Sequence, residues 1–478
     1  MKSALISIII MSVTTLSAAD VKVNFSRDTG IIRPALHSSG FAPKSVSSRN
    51  IAEQIKAMNF DYVRTHDLAL INDGQRVVDT HFIFPLEHLD ASDPKNYYFE
   101  ATDYLLQLSR DIDLKIFYRL GTSIEHSGLV HFNAEIPSDF DKMAEVFAGT
   151  VRHYNRGWAD GHNWGIKYWE IWNEPDGYNN MWSFNGEDDR ADNCANQPRR
   201  MKLYREFFVK VLKRLKSEFP EIKVGGPALC TYKEKLLRPL LQDCKDAGVA
   251  PDFISWHYYG QDPENIISAG DKGRKLCDSF GFTETELIIN EWHYLIQGGF
   301  AALGYSDPDT LKQVLESPAG QNKIDSACFT LTTLARLQTS EYDQSYFYGC
   351  RHIGNFGYMD VYRRLNKNYY ACKAFGEIVK EYPRMCFASS DSKTVTVLAA
   401  RSIDGKRRRL LIIDYMGKDD KITVEMCNTG KGWKASATLL SQEKDLETVP
   451  VSFADGKLEL KKDRRGSAAF VVNLTKQP

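Results

Sequence analysis

Two glutamates in this 478-residue chain close apolar runs in the same way. The run "IKYWEIWNEP" from Ile166 ends on Asn173-Glu174-Pro175, and "ELIINEWHY" from Glu286 carries Asn290-Glu291-Trp292. Two carboxyl groups brought face to face suit hydrolysis of a glycosidic bond: one, protonated, donates to the leaving oxygen, and the other, ionised, meets the oxocarbenium-like carbon. Trp169, Trp172, Trp182, Trp256, Trp292, Tyr258, Tyr259 and Tyr294 crowd the ends of these runs. Sugar rings present apolar C–H faces that stack on aromatic rings. Desolvation beside such walls is expected to raise the Glu174 pKa, so that it holds a proton near neutral pH.

The elements that must position them form an alternation from about residue 35 to 383. Strand signals begin at Ala35, Phe60, Asp113, Ile166, Glu221, Asp252, Glu286 and Ser345, as runs too continuously apolar for strands with one wet face. Helical spacing fills the gaps, clearest from Pro198, where Leu203, Phe207, Leu212 and Leu215 share one face and Lys and Arg the other. Eight such units predict a (β/α)8 TIM barrel; the alternative, a doubly wound open sheet, lacks a GxGxxG after its first strand. In a barrel the chemistry sits at the C-terminal ends of the strands, and strands four and seven put Glu174 and Glu291 across the mouth from one another.

After Tyr382-Pro383 the texture changes to short β runs such as "KTVTVLAAR", "RRLLIIDYM" and "AAFVVNL", separated by turns, which predicts a small antiparallel β-sandwich. The early "VKVNF" has the same character and is expected to pair with it. The expected domains are a signal peptide over 1–19, the catalytic barrel over 20–385 and the sandwich over 386–478. Lys2, an apolar run from Ala4 to Leu16 and small residues ending at Ala19 point to a cleaved secretory signal and a secreted or periplasmic product. No later run is long enough to span a membrane.

With 61 basic against 62 acidic residues, the net charge of -1 recruits neither nucleic acid nor a membrane surface. The partner expected is a carbohydrate. Nine scattered cysteines form no disulfide scaffold and no zinc pattern. His66, Asp67, His257 and His293 lack HxxxH spacing, so no metal and no cofactor is expected at the site.

The runs "FDYVRTHD", "YWEIWNEPDG", "FISWHYYG" and "IINEWHY", in that order, make the barrel region resemble glycoside hydrolase family 39 of clan A, which holds β-xylosidases and α-L-iduronidases. The resemblance implies a retaining double displacement with Glu174 as acid/base and Glu291 as nucleophile. It implies that Asn173 holds the sugar 2-hydroxyl and that Arg64 keeps Glu291 ionised. His66, His257 and Tyr259 are candidates for gripping hydroxyls or orienting Glu291, with Trp182 and Trp292 as further substrate contacts. Asp67 stands where the family has Gly, and "SYFYGCRHIGN" lacks the tryptophan the clan places at strand eight. The expected function is therefore removal of a terminal, xylose-type sugar. The alternatives are a uronate-directed glycosidase, with a cation such as Arg351 on the substrate carboxylate, and a barrel that binds carbohydrate without cutting it. An esterase or protease reading lacks a GxSxG elbow.

Overall fold

The computed structural model describes residues 18–40, 50–66, 76–122, 136–177, 182, 189–299, 303, 309, 312, 316–349, 351–353, 355–360 and 364–477. The expected signal segment (residues 1–17 of it) and Asp67 lie outside them. The chain divides into two units: Ile31–Pro383, and the residues up to Gly30 together with those from Arg384 onward.

The first unit is a closed parallel barrel of eight strands: β2 (His37–Ser39), β3 (Tyr62–Arg64), β4 (Lys115–Leu120), β5 (Tyr168–Ile171), β6 (Lys223–Leu229), β7 (Phe253–Gly260), β8 (Glu286–Tyr294) and β9 (Gln344–Tyr348). Each is followed by a helix, from Ala52–Met58 after β2 round to Lys367–Glu381 after β9. All eight expected strands and helices are present. The helices start where short polar side chains take up their free N–H groups: Asp139 accepts from Asp141 and Lys142, Asp262 from Glu264, and Asn366 from Tyr369. The helix after β5 begins at Asp189 rather than at Pro198, where the helical spacing starts in the sequence. A further short parallel pair, β10 (Arg351–Ile353) and β11 (Gly357–Met359), follows β9.

One interior layer of the barrel is filled by Phe117, Tyr168, Phe253, Ile288 and Tyr346, with Tyr62 against them. Every second residue of a strand points the same way. The next inward positions along β3, β4, β5, β7 and β8 are therefore Arg64, Arg119, Glu170, Ser255 and Asn290. A polar layer thus sits on an aromatic one, toward the strands' C-terminal ends.

In the second unit, β1 (Ala18–Ile31) joins β12 (Arg384–Ser390), β13 (Val395–Arg401), β14 (Arg407–Asp414), β15 (Lys421–Cys427), β16 (Trp433–Leu440), β17 (Asp445–Val449), β18 (Ser452–Ala454), β19 (Lys457–Lys461) and β20 (Ala468–Lys476). They make one ten-stranded sheet, ordered β17-β16-β20-β14-β13-β12-β1-β15-β19-β18. Ile422 and Leu460 share a single core with Ile412 and Phe470, so the two halves of the sheet enclose it between them. Pairing is antiparallel through β12–β14, β20, β16 and β17 and through β15, β19 and β18, whereas β1 lies parallel to β15 and makes the sheet mixed. Among the described residues no helix is long and apolar enough to cross a membrane.

Candidate active site

The polar turn after β5 is made by its own sequence. Pro175, Asp176 and Gly177 suit successive turn positions, and the Gly177 N–H donates to the Glu174 carbonyl at 2.9 Å. Asp176 pins the turn by accepting from the Cys230 backbone at 3.0 Å and from Lys233 Nζ at 2.7 Å. Trp172 (φ 74°) and Glu174 (φ 43°) both sit in the left-handed region, which is strained for residues of this size and concentrates at functional positions. That backbone breaks the alternation of the strand. The Trp172 indole packs on Trp182 and Phe207 while Asn173 turns inward to Arg64.

A comparable break serves Glu291. The pairing of β7 with β8 runs Trp256 to Ile289 and then His257 to Glu291, leaving Asn290 as an extra residue. This bulge aims two consecutive side chains inward: Asn290 donates to Glu170 at 2.7 Å, and Glu291 faces Arg64.

Arg64, fully buried, organises the site. Its Nε donates to Glu170 Oε2 at 2.7 Å, its Nη1 to Glu291 Oε2 at 3.1 Å and to Ser39 Oγ at 3.2 Å, and its Nη2 to Asn173 Oδ1 at 2.7 Å. Burial disfavours the guanidinium charge, but Glu170 and Glu291 outweigh it and raise the Arg64 pKa. Because a guanidinium only donates, the Asn173 amide is fixed oxygen-inward. Its Nδ2 is buried and has no hydrogen-bond partner among the described residues.

Tyr259 Oη donates to Glu291 Oε1 at 2.5 Å, and His66 Nε2 lies 3.9 Å from Glu291 Oε2. His257 stands between the two glutamates, with Nδ1 at 2.8 Å from Glu174 Oε1 and 3.6 Å from Glu291 Oε1. Burial lowers the His257 pKa despite the neighbouring carboxylates, so the ring is a neutral donor at pH 7. An oxygen of Glu174, the His257 nitrogen and an oxygen of Glu291 all lie within 4.8 Å of one another.

The electrostatics differ from the expectation in one respect. Arg64 does pull the Glu291 pKa down, as do His257 and Tyr259, yet burial is the larger influence and, with the charge of Glu174, raises it above the usual carboxylate range. Glu291 is also the drier of the two, its side chain 6% exposed against 14% for Glu174.

Seven of the expected site residues thus converge: Arg64, His66, Asn173, Glu174, His257, Tyr259 and Glu291. Trp182 and Trp292 do not. Trp182 is fully buried, donates its Nε1–H to the Arg200 carbonyl and packs on Tyr204 and Phe207. Trp292 follows the inward Glu291 and so points outward, its Nε1–H on Ser345 Oγ and its ring against Phe347. Trp169, Trp172 and Trp256 are buried as completely. These five tryptophans belong to the core. The Arg351 side chain, invoked for a uronate, is outside what is described.

Sequence reasoning missed Glu170, Ser255 and Asn290. Glu170, fully buried, accepts from Arg64, Ser255 and Asn290 at 2.7 Å each. The available signal was the alternation Tyr168, Glu170 in "YWEI": a charge on the inward face of a buried strand needs a buried partner, and Arg64 is in the neighbouring "YVR" run.

Known proteins agree with this architecture. A β-xylosidase of Geobacillus stearothermophilus is 29% identical over 181 residues, a stretch that spans 34% of this chain and only about a third (32%) of that relative. Among solved structures, a glucosidase from Croceicoccus marinus superposes with a TM-score of 0.73 at 20% identity, over 97% of this chain and 100% of that one. An α-L-arabinofuranosidase from Thermotoga maritima gives 0.61 at 15%, over 96% and 100%. At such identities the likeness speaks for the fold. The model of the glycosyl hydrolases family 39 matches residues 19–269. That is more than half of the chain and holds the first six barrel strands with Arg64, Asn173, Glu174 and His257; the chain belongs to glycosyl hydrolases family 39.

Proposed function

We propose that the protein is an exported retaining glycosidase that removes a terminal, xylose-type sugar by double displacement, with Glu291 as nucleophile and Glu174 as acid/base. The observation that carries this reading is the spacing of the two carboxyl groups, whose nearest oxygens lie within 4.8 Å. Retaining pairs stand about 5–5.5 Å apart, whereas inverting pairs leave roughly 6.5–9.5 Å for a water between carboxylate and sugar.

In the first step a Glu291 oxygen bonds to the anomeric carbon as the glycosidic C–O bond breaks, and the Glu174 proton goes to the leaving oxygen. In the second, Glu174 takes a proton from a water whose oxygen bonds to the anomeric carbon, and Glu291 departs as carboxylate. Arg64 and Tyr259 hold the Glu291 oxygens in place for attack and take up the charge when it leaves. Neutral His257 donates to Glu174 Oε1 and so orients the carboxyl group that gives its proton to the leaving oxygen. The Nδ2–H of Asn173 is placed for the 2-hydroxyl. The xylose-type sugar is supported by the β-xylosidase relative, and export by the N-terminal Lys2, apolar run and Ala19.

The test is intact-mass analysis after incubation with activated 2-fluoro xylosyl, glucosyl, arabinosyl and iduronyl glycosides. A single adduct mapped to Glu291 is expected from the xylosyl reagent. Labelling by the iduronyl reagent alone would replace the sugar, and no label from any reagent would favour a binding barrel. Glu174→Ala is expected to slow unactivated glycosides about 10²–10⁴-fold while sparing aryl glycosides with good leaving groups. Equal loss on both would remove Glu174 from the acid/base role.

A further inference from the structure

A second cluster of ligating groups lies among the outer helices, apart from the glutamate pair. Asp103 is on the helix Glu100–Arg110, His153 in the last turn of Phe140–Arg156, and His162 in the loop beyond. We propose that these three form a binding site for a divalent transition-metal ion of the zinc class.

The geometry around His153 carries the proposal. Its Nδ1 lies 3.0 Å from the Trp158 carbonyl oxygen, a contact that requires Nδ1–H. Its Nε2 faces the Asp103 carboxylate at 3.0 Å and 3.2 Å. An imidazole nitrogen this close to a carboxylate is bridged by a cation, either the ring's own proton or a metal ion that takes its place. His162 brings a third donor to the same point: its Nε2 is 3.4 Å from Asp103 Oδ2 and is buried without a hydrogen-bond partner. The donor atoms of all three residues lie within 4.8 Å of one another.

The pattern is that of a metal ligand and its support. A ligating imidazole commonly gives its other N–H to a backbone carbonyl, which fixes the tautomer and ring orientation, as Trp158 does here. Two imidazoles and a carboxylate suit Zn²⁺ and its neighbours better than Ca²⁺ or Mg²⁺.

The loop is shaped to deliver His162. Gly157, Ala159 and Asp160 all take left-handed backbone, and the His162 N–H donates to the His153 carbonyl at 2.6 Å. Gly161 passes so close that a Cβ there would lie 2.2 Å from the His153 carbonyl oxygen and 2.6 Å from its Nδ1. His162 stacks on Trp164 at 4.1 Å, and His153 on Phe99 at 3.6 Å. Both rings are thus held before any ion arrives. A bound ion would tie the two helices and the loop together and stabilise the barrel by mass action.

The test is isothermal titration of chelator-treated full chain with zinc chloride, alongside the visible absorption of the cobalt-substituted protein. The site predicts a zinc-binding component that survives Glu291→Gln and is weakened at least about a hundredfold by His162→Ala and by Asp103→Asn, with circular dichroism unchanged. The Glu291→Gln control matters because Glu174, His257 and Glu291 are also close enough to share an ion. Absence of the component, or its persistence in both the His162→Ala and Asp103→Asn proteins, overturns the proposal and leaves an imidazolium–aspartate pair.

Discussion

Glu291 occupies a place that suits its reactivity better than its stability. Its pKa is raised chiefly by burial, so ionisation works against folding. The sign follows from linkage: the penalty is absent below the unfolded pKa of roughly 4.3 and sets in as pH rises through the higher folded value. Glu291→Gln is therefore expected to stabilise the fold at pH 7 by on the order of 1 kcal/mol, with the gain fading toward pH 4. Denaturant melts at the two pH values measure this, and a destabilised variant at pH 7 would count against it. Arg64 keeps Glu170 as its partner in that variant, which is why the loss of one carboxylate is tolerable. At this scale the sequence was readable where strand ends mark chemistry, as at Glu174 and Glu291. It misled at Trp182 and Trp292, because an indole has the same letter whether it faces a sugar or the helix layer; at Trp292 strand parity decides, and at Trp182 packing on Tyr204 and Phe207 does. The Asn290 bulge and the left-handed Trp172 change that parity by one residue each, through backbone geometry that composition does not announce.

Among the elements, the helices Ala52–Met58 and Lys367–Glu381 meet at a glycine. A Cβ on Gly376 would lie 2.0 Å from the Met58 carbonyl oxygen, which is backbone and cannot swing aside. Two effects oppose each other in Gly376→Ala: the better helix propensity of alanine is worth about 1 kcal/mol, and the overlap costs roughly 1–3 kcal/mol. The overlap wins, so the substitution is expected to lower stability, and a chevron or equilibrium melt that finds it neutral or stabilising would refute the close approach. The eight strand–helix units were legible because buried parallel strands are apolar on both faces and the intervening helices on one. The start of the helix after β5 was harder to place. Pro198 reads as a helix start, yet the helix continues N-terminally to Asp189.

For the molecule as a whole, three buried histidines set the acid limit. Burial, the largest cause in each, lowers His37 to about 3, His293 to about 4 and His257 below its ordinary value. Groups whose folded pKa is depressed bind protons more readily once unfolded. Their contribution to stability is complete above roughly pH 6.5 and is lost as pH falls toward the folded values, by up to about 1.4 kcal/mol per pH unit for each histidine. The melting temperature is expected to hold steady from pH 8 to 7 and to fall below 6.5, with net proton uptake on unfolding at pH 5.5; a flat profile down to pH 5 would contradict it.

The placement of β1 between β12 and β15 has a consequence for how the chain is made. Its partners are encoded more than 350 residues downstream, as the pairing of Ala19 with Ile422 illustrates. During synthesis the intervening barrel has all of its own strands available first, while β1, apolar on one face through Ala19, Val21, Val23 and Phe25, waits with both edges bare. Completion of the second unit is therefore a late event, and a chain interrupted before residue 384 leaves β1 without either of its sheet neighbours.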